Sequence, residues 1–190
     1  MIYQLLRSLN VLWVNNMEKI NKQFLIGTSM LFFFLMLLDA HITSLIGSWD
    51  KNTKVWQSQL LLLVMLFAVS KLSKRFMISA AILIGILLDL YFLGIIGIYA
   101  VGLPLVVWVM YLFHSLFYQS LTNLFFSWVI SLTLLQVITI GLQLGFKLAK
   151  IDGEFFVVNF FAPTLLLNIG YFLVFLWPLK KLYQLNRPVF

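Results

Sequence analysis

Two carboxylates and one imidazole stand inside stretches that are otherwise apolar. Asp39 and His41 lie in "LMLLDAHITSLI", and Asp89 lies in "GILLDLYFLGIIG". Acids and a histidine in reach of one another can exchange protons with a bound molecule. They can also bind a ligand or meet a partner. An ionised group in hydrocarbon is costly, so such residues usually face the bundle interior or a wet cavity. Asp39 follows Lys22 in sequence and Asp89 follows Arg75, which at about 1.5 Å per residue puts them roughly 25 and 21 Å above the inner surface. The similar heights predict one shared polar site with His41. The plainer reading is that the acids hydrogen-bond within the bundle and fix helix packing.

Other chemistry has little to stand on. The chain has no cysteine, which excludes disulfides and thiolate metal sites. His41 has no second histidine nearby, so no metal site is expected. His114, in "YLFHSLFYQS", reads as an interfacial residue. There is no G-x-S-x-G, H-E-x-x-H or G-x-x-x-x-G-K-[ST] pattern. No catalytic residue, cofactor or enzymatic activity is expected.

The elements that position these residues follow from composition. Of 190 residues, 63% are hydrophobic and only 10% charged, where a soluble domain has about a quarter charged. The reading is an all-α integral membrane protein. Six apolar stretches, residues 24–46, 55–70, 76–93, 95–113, 124–146 and 160–179, predict a bundle of six transmembrane helices over 24–179. Residues 1–23 then form a cytoplasmic N-terminal segment. Its first 16 residues are either an interfacial amphipathic helix or an extension ahead of a start at Met17. Residues 180–190 form a basic cytoplasmic tail.

Lys and Arg set the orientation. With the N-terminus inside, Arg7, Lys19, Lys22, Lys71, Lys74, Arg75, Lys180, Lys181 and Arg187 are cytoplasmic. Lys51, Lys54, Lys147 and Lys150 fall outside, beside Asp50, Asp152 and Glu154. The excess inside predicts N-in, C-in topology, and it accounts for the net charge of +7 without nucleic acid. Trp49, Trp56 and Trp177 fall at span ends, where amphipathic rings settle.

Glycines mark close approaches. Gly85, Gly94, Gly97 and Gly102 cluster around the third and fourth spans, and the short "LGIIG" turn predicts a tight antiparallel pair. Ala81 and Gly85, and Gly141 and Gly145, share helix faces at a spacing of four, which lets backbones approach within the chain or in another membrane protein. Pro163 and Pro178 are expected to bend or end the sixth span.

The stretch "LIGILLDLYFLGIIGIYAVGLPLVVWVMYLF" resembles the signature of the MreD family of rod shape-determining membrane proteins. Gly85, Asp89, Gly94, Gly97 and Gly102 fit that pattern. "LDAHITSLI" resembles an Asp-Gly-His-type stretch of Gram-positive members, with Ala40 where glycine is common. The resemblance implies a multi-pass protein of the bacterial cytoplasmic membrane that serves as a scaffold in the cell-elongation complex for peripheral peptidoglycan synthesis. The implied partners are MreC, the SEDS glycosyltransferase RodA and a class B penicillin-binding transpeptidase, with MreB where it is present. The competing reading is the S-component of an energy-coupling-factor vitamin transporter. Those proteins share the six-helix architecture and open their ligand site outward. The outer loops here lack an aromatic and polar ligand cluster, which leans away from transport.

Overall fold

The computed structural model describes the backbone of residues 2–49, 54–92, 94–113, 120–148 and 153–183. It describes their side chains from Phe24 onward, except Trp49. His114, Asp50, Lys51, Lys150, Asp152 and Arg187 lie outside the described residues, as does the tail beyond Tyr183.

The described chain is helical. Its helices are α1 (Ile2–Trp49), α2 (Leu60–Ala68), α3 (Lys74–Phe92), α4 (Tyr99–Leu112), α5 (Leu121–Gly145) and α6 (Gly153–Leu182). Four carry stretches long and apolar enough to cross a membrane: Phe24–Ser48 of α1, then α3, α5 and α6. The backbone of α1 is one continuous helix from Ile2, with no break between the N-terminal segment and the first span. Helix α6 holds a π-helical turn at Val157–Phe161 and continues through Pro178 to Leu182. Pro178 therefore does not end it.

The second span departs most from expectation. A helix over residues 55–70 was predicted, and only Leu60–Ala68 is helical. Residues 54–59 run without helix or strand. All nine residues of α2, "LLLLVMLFA", are buried. A helix apolar on every side belongs in the middle of a bundle. Met65, Leu66 and Phe67 are fully enclosed, among side chains from α1, α3, α4, α5 and α6. The bundle's outer faces are equally apolar: Met30, Leu83, Leu166, Leu173 and Trp177 are each more than 60% exposed. Such faces suit lipid.

Helices α3 and α4 form the tightest pair, and Gly85 is the reason. A Cβ at Gly85 would lie 2.5 Å from Tyr99 O and 2.7 Å from the Ala100 Cα. Only glycine lets the start of α4 settle against α3. The turn between them uses left-handed backbone at Gly94 (φ +63) and Gly97 (φ +136), which glycine adopts without strain. Gly102 faces α5, where a Cβ would touch Leu135 at 3.4 Å.

Candidate functional site: two helix caps and a neutral cavity

The first four N–H groups of any helix lack partners within it. Helix α4 begins after Ile98, whose side chain cannot cap. Asp89, fully buried on α3, supplies the missing acceptor. Its Oδ2 accepts from Gly97 N at 2.8 Å and Ala100 N at 3.0 Å, and its Oδ1 accepts from Tyr99 N at 2.7 Å. The carboxylate also faces the positive end of the α4 dipole. One acid on one helix thus closes the next.

Asp39 does the same for α2. Its Oδ1 accepts from Leu60 N at 2.9 Å and from the Ser58 hydroxyl at 2.5 Å, and its Oδ2 accepts from Leu61 N at 2.8 Å. The Gln59 side chain makes no cap bond, so the α2 end depends on α1.

The same logic explains the non-helical stretch before α2. Irregular backbone at membrane depth survives only where protein or water satisfies it. Here two pairs of polar side chains, each spaced i, i+4, clasp it from both sides. On α1, Thr43 accepts from Ser58 N at 3.0 Å, one turn beyond Asp39. On α6, Thr164 accepts from Gln57 N at 3.1 Å, and its hydroxyl donates to Val55 O at 3.3 Å. Asn168 accepts from Gln59 N at 2.9 Å and donates to Gln57 O at 2.8 Å. Pro163 contributes indirectly. It has no N–H for the carbonyl of Asn159, and that carbonyl accepts from Val55 N at 2.7 Å instead.

The two acids do not share one site with His41. Each closes a different helix, and His41 lies exposed on the opposite side of α1 from Asp39. The two caps are joined through protein: the Gln57 amide donates to the Tyr99 hydroxyl at 2.5 Å, and Tyr99 N belongs to the Asp89 cap. Gly141 and Gly145 face open space, with nothing among the described residues within 4 Å of a Cβ there.

Beside the Gln57–Tyr99 bond lies a cavity of about 270 Å³. Thr43, Gln57, Tyr99, Gln136, Thr139 and Gln143 give it a polar lining without an ionisable acid or base near neutral pH. Phe92, Phe156 and Phe160 supply aromatic walls, and the last two stack at 6.0 Å between centroids. Gln136 is 3% exposed, and neither its amide oxygen nor its amide nitrogen has a hydrogen-bond partner among the described residues. A buried amide left unpaired costs about 1–3 kcal/mol. Among the described residues no cluster of three His, Cys, Asp or Glu side chains could hold a metal.

Sequence reasoning singled out the acids and missed Thr43, Ser58, Thr164, Asn168 and Gln136. The visible signal for three of them was the i, i+4 pairing of Asp39 with Thr43 and Thr164 with Asn168, which places two polar groups on one helix face.

The family model for the rod shape-determining protein MreD matches residues 18–186. The chain belongs to the MreD family. It is also similar to the cell shape-determining protein MreD of Streptococcus pneumoniae (strain ATCC BAA-255 / R6), at 29% identity over 165 residues, covering 83% of this chain and 96% of that protein. No solved structure matches. Family membership places this chain among shape-determining proteins, and its apolar helices fit a membrane protein.

Proposed function

We propose that this chain is a multi-pass scaffold of the bacterial cytoplasmic membrane, a subunit of the complex that elongates the cell by peripheral peptidoglycan synthesis. It crosses six times, with both termini inside, in an architecture like that of S-components. The second crossing is made by a non-helical stretch and a short helix in series. Its partners are MreC, the glycosyltransferase RodA and a class B transpeptidase, with MreB where it is present. It performs no chemistry of its own.

The observation that carries this reading is how the buried polar groups are used. Asp39, Asp89, Thr43, Thr164 and Asn168 are all engaged in holding backbone in place. They build a rigid frame rather than a reactive site. Gln136 is the exception: its amide is unpaired, and the residue lines a neutral cavity. An unpaired buried amide is a hydrogen-bonding site that an entering partner segment completes. The test is mild-detergent purification of the tagged chain from native membranes, with co-purifying proteins identified by mass spectrometry. Recovery of MreC and the synthase pair supports the scaffold. Recovery of paired ATPases with a coupling membrane subunit overturns it in favour of transport.

A further inference from the structure

At the end of the bundle away from both caps, α1 and the last turn of α6 stand apart. Gly27 contributes no side chain there, and Thr28 turns its hydroxyl back onto Phe24 O at 2.8 Å. A cleft of about 310 Å³ remains, lined by Phe24, Gly27, Thr28, Leu31, Leu182 and Tyr183. Its walls are apolar except at one point. Tyr183 is 2% exposed, and its hydroxyl makes no hydrogen bond among the described residues. Burial pushes this phenol up to about 12, so it stays protonated and can donate a hydrogen bond at any working pH.

Among the described side chains, the charge at this end has one sign. Lys180 and Lys181 immediately precede the cleft residues of α6, and Lys71, Lys74 and Arg75 stand at the same end. The acids whose side chains are described, Asp39, Asp89 and Glu154, all lie toward the other end. Lys181 also packs over the Trp177 ring at 5.7 Å, as a cation at a membrane interface does.

We propose that this cleft seats an anionic glycerophospholipid, its acyl chain against Phe24, Gly27 and Leu31 and its phosphate at the Tyr183 hydroxyl and the Lys180–Lys181 pair. An apolar slot, an unpaired phenol hydroxyl and a cationic rim suit one molecule with a long tail and a negative head. Basic pockets between membrane helices hold anionic lipid head groups on these terms. A zwitterionic lipid brings an ammonium into the same field and is disfavoured.

The test uses the full chain in nanodiscs with equal amounts of palmitoyl-oleoyl phosphatidylglycerol and phosphatidylcholine. Lipids retained on release are counted by native mass spectrometry. Phosphatidylglycerol is expected to be retained at least tenfold over phosphatidylcholine. Lys180→Gln with Lys181→Gln lowers that retention by about thirtyfold, the worth of two lysines near an anionic surface. Tyr183→Phe, which keeps the ring packing, lowers it by about tenfold. Gly27→Leu fills the cleft and removes retention of both lipids. Lys54→Gln with Lys147→Gln, the same charge change at the opposite end, leaves retention unchanged. Equal retention of the two lipids overturns the proposal. So does a preference that survives both the double-lysine variant and Tyr183→Phe. Displacement of the lipid by inorganic phosphate alone reduces the cleft to an anion site and also overturns it.

Discussion

Replacing Asp89 separates a structural acid from a reactive one. Asp89 accepts three backbone N–H bonds, two on Oδ2 and one on Oδ1, at zero exposure. Asp89→Asn keeps one oxygen. Placed at the Oδ2 position, it retains the bonds from Gly97 and Ala100. The new NH2 then faces the Tyr99 N–H, and one buried donor is lost. That costs about 2–3 kcal/mol. Asp89→Leu is close in size and retains none of the three. Three orphaned donors cost about 3–9 kcal/mol, less whatever the turn recovers by shifting. The larger figure rivals the whole stability of an ordinary domain, which is about 5–15 kcal/mol. The assay is thermal unfolding in mild detergent, followed by size-exclusion of a fluorescent fusion, beside rescue of cell shape in a deletion strain. At about 2–4 °C per kcal/mol for a chain of this length, Asp89→Asn lowers the midpoint by about 5–10 °C. Asp89→Leu lowers it further or prevents assembly, and shape rescue follows the same order. A wild-type midpoint for Asp89→Leu would falsify the capping argument. Asp89→Asn as severe as Asp89→Leu would mean that the charge itself is required, as in ion coupling.

Three further outcomes are expected. Gly85→Ala drives a Cβ into the Tyr99 and Ala100 backbone and destabilises by about 1–3 kcal/mol, while Gly141→Ala, in open space, is neutral or gains up to about 1 kcal/mol of helix propensity; equal midpoints for the two variants contradict the close α3–α4 approach. Asn168→Leu frees the Gln59 N–H and raises hydrogen exchange there, while Thr164→Val frees the Gln57 N–H and raises exchange at that residue, and each lowers the melting midpoint; unchanged exchange at both means that the clasp does not hold the segment. Gln136→Leu removes an unpaired buried amide and raises the melting midpoint of the isolated protein, while it weakens MreC co-purification; a lower midpoint with intact co-purification contradicts the partner-site reading.

What was legible in the sequence was what hydropathy and charge encode. The long apolar stretches of α1, α3, α5 and α6 are recognisable from composition alone as long and apolar enough to cross a membrane. The Gly85–Gly102 cluster announced a tight pair, and "LGIIG" is too short for anything but a reversal. The second span misled, because "LLLLVMLFA" and the residues before it read as one apolar helix. Whether residues 54–59 are helical depends on Thr43, Thr164 and Asn168, which lie far away in the chain. Hydropathy cannot register a hydrogen bond from another helix.

The acids show the same division. Their burial and cost follow from sequence, since a carboxylate among leucines needs compensation wherever it sits. What compensates them was decided by tertiary structure. Sequence spacing put Asp39 and Asp89 at similar depth, and sequence reasoning merged them into one site with His41. In the folded chain each meets a different helix start, because a cluster of unpaired backbone N–H groups is a strong partner for a buried carboxylate. His41, two residues from Asp39, is turned about 200° around the helix by the 3.6-residue period and faces away. The sequence by itself determined a membrane bundle with two expensive acids. Only the packing of α1 on α2 and of α3 on α4 decided that those acids close helices, since a helix end and the group that caps it from another helix share no local pattern.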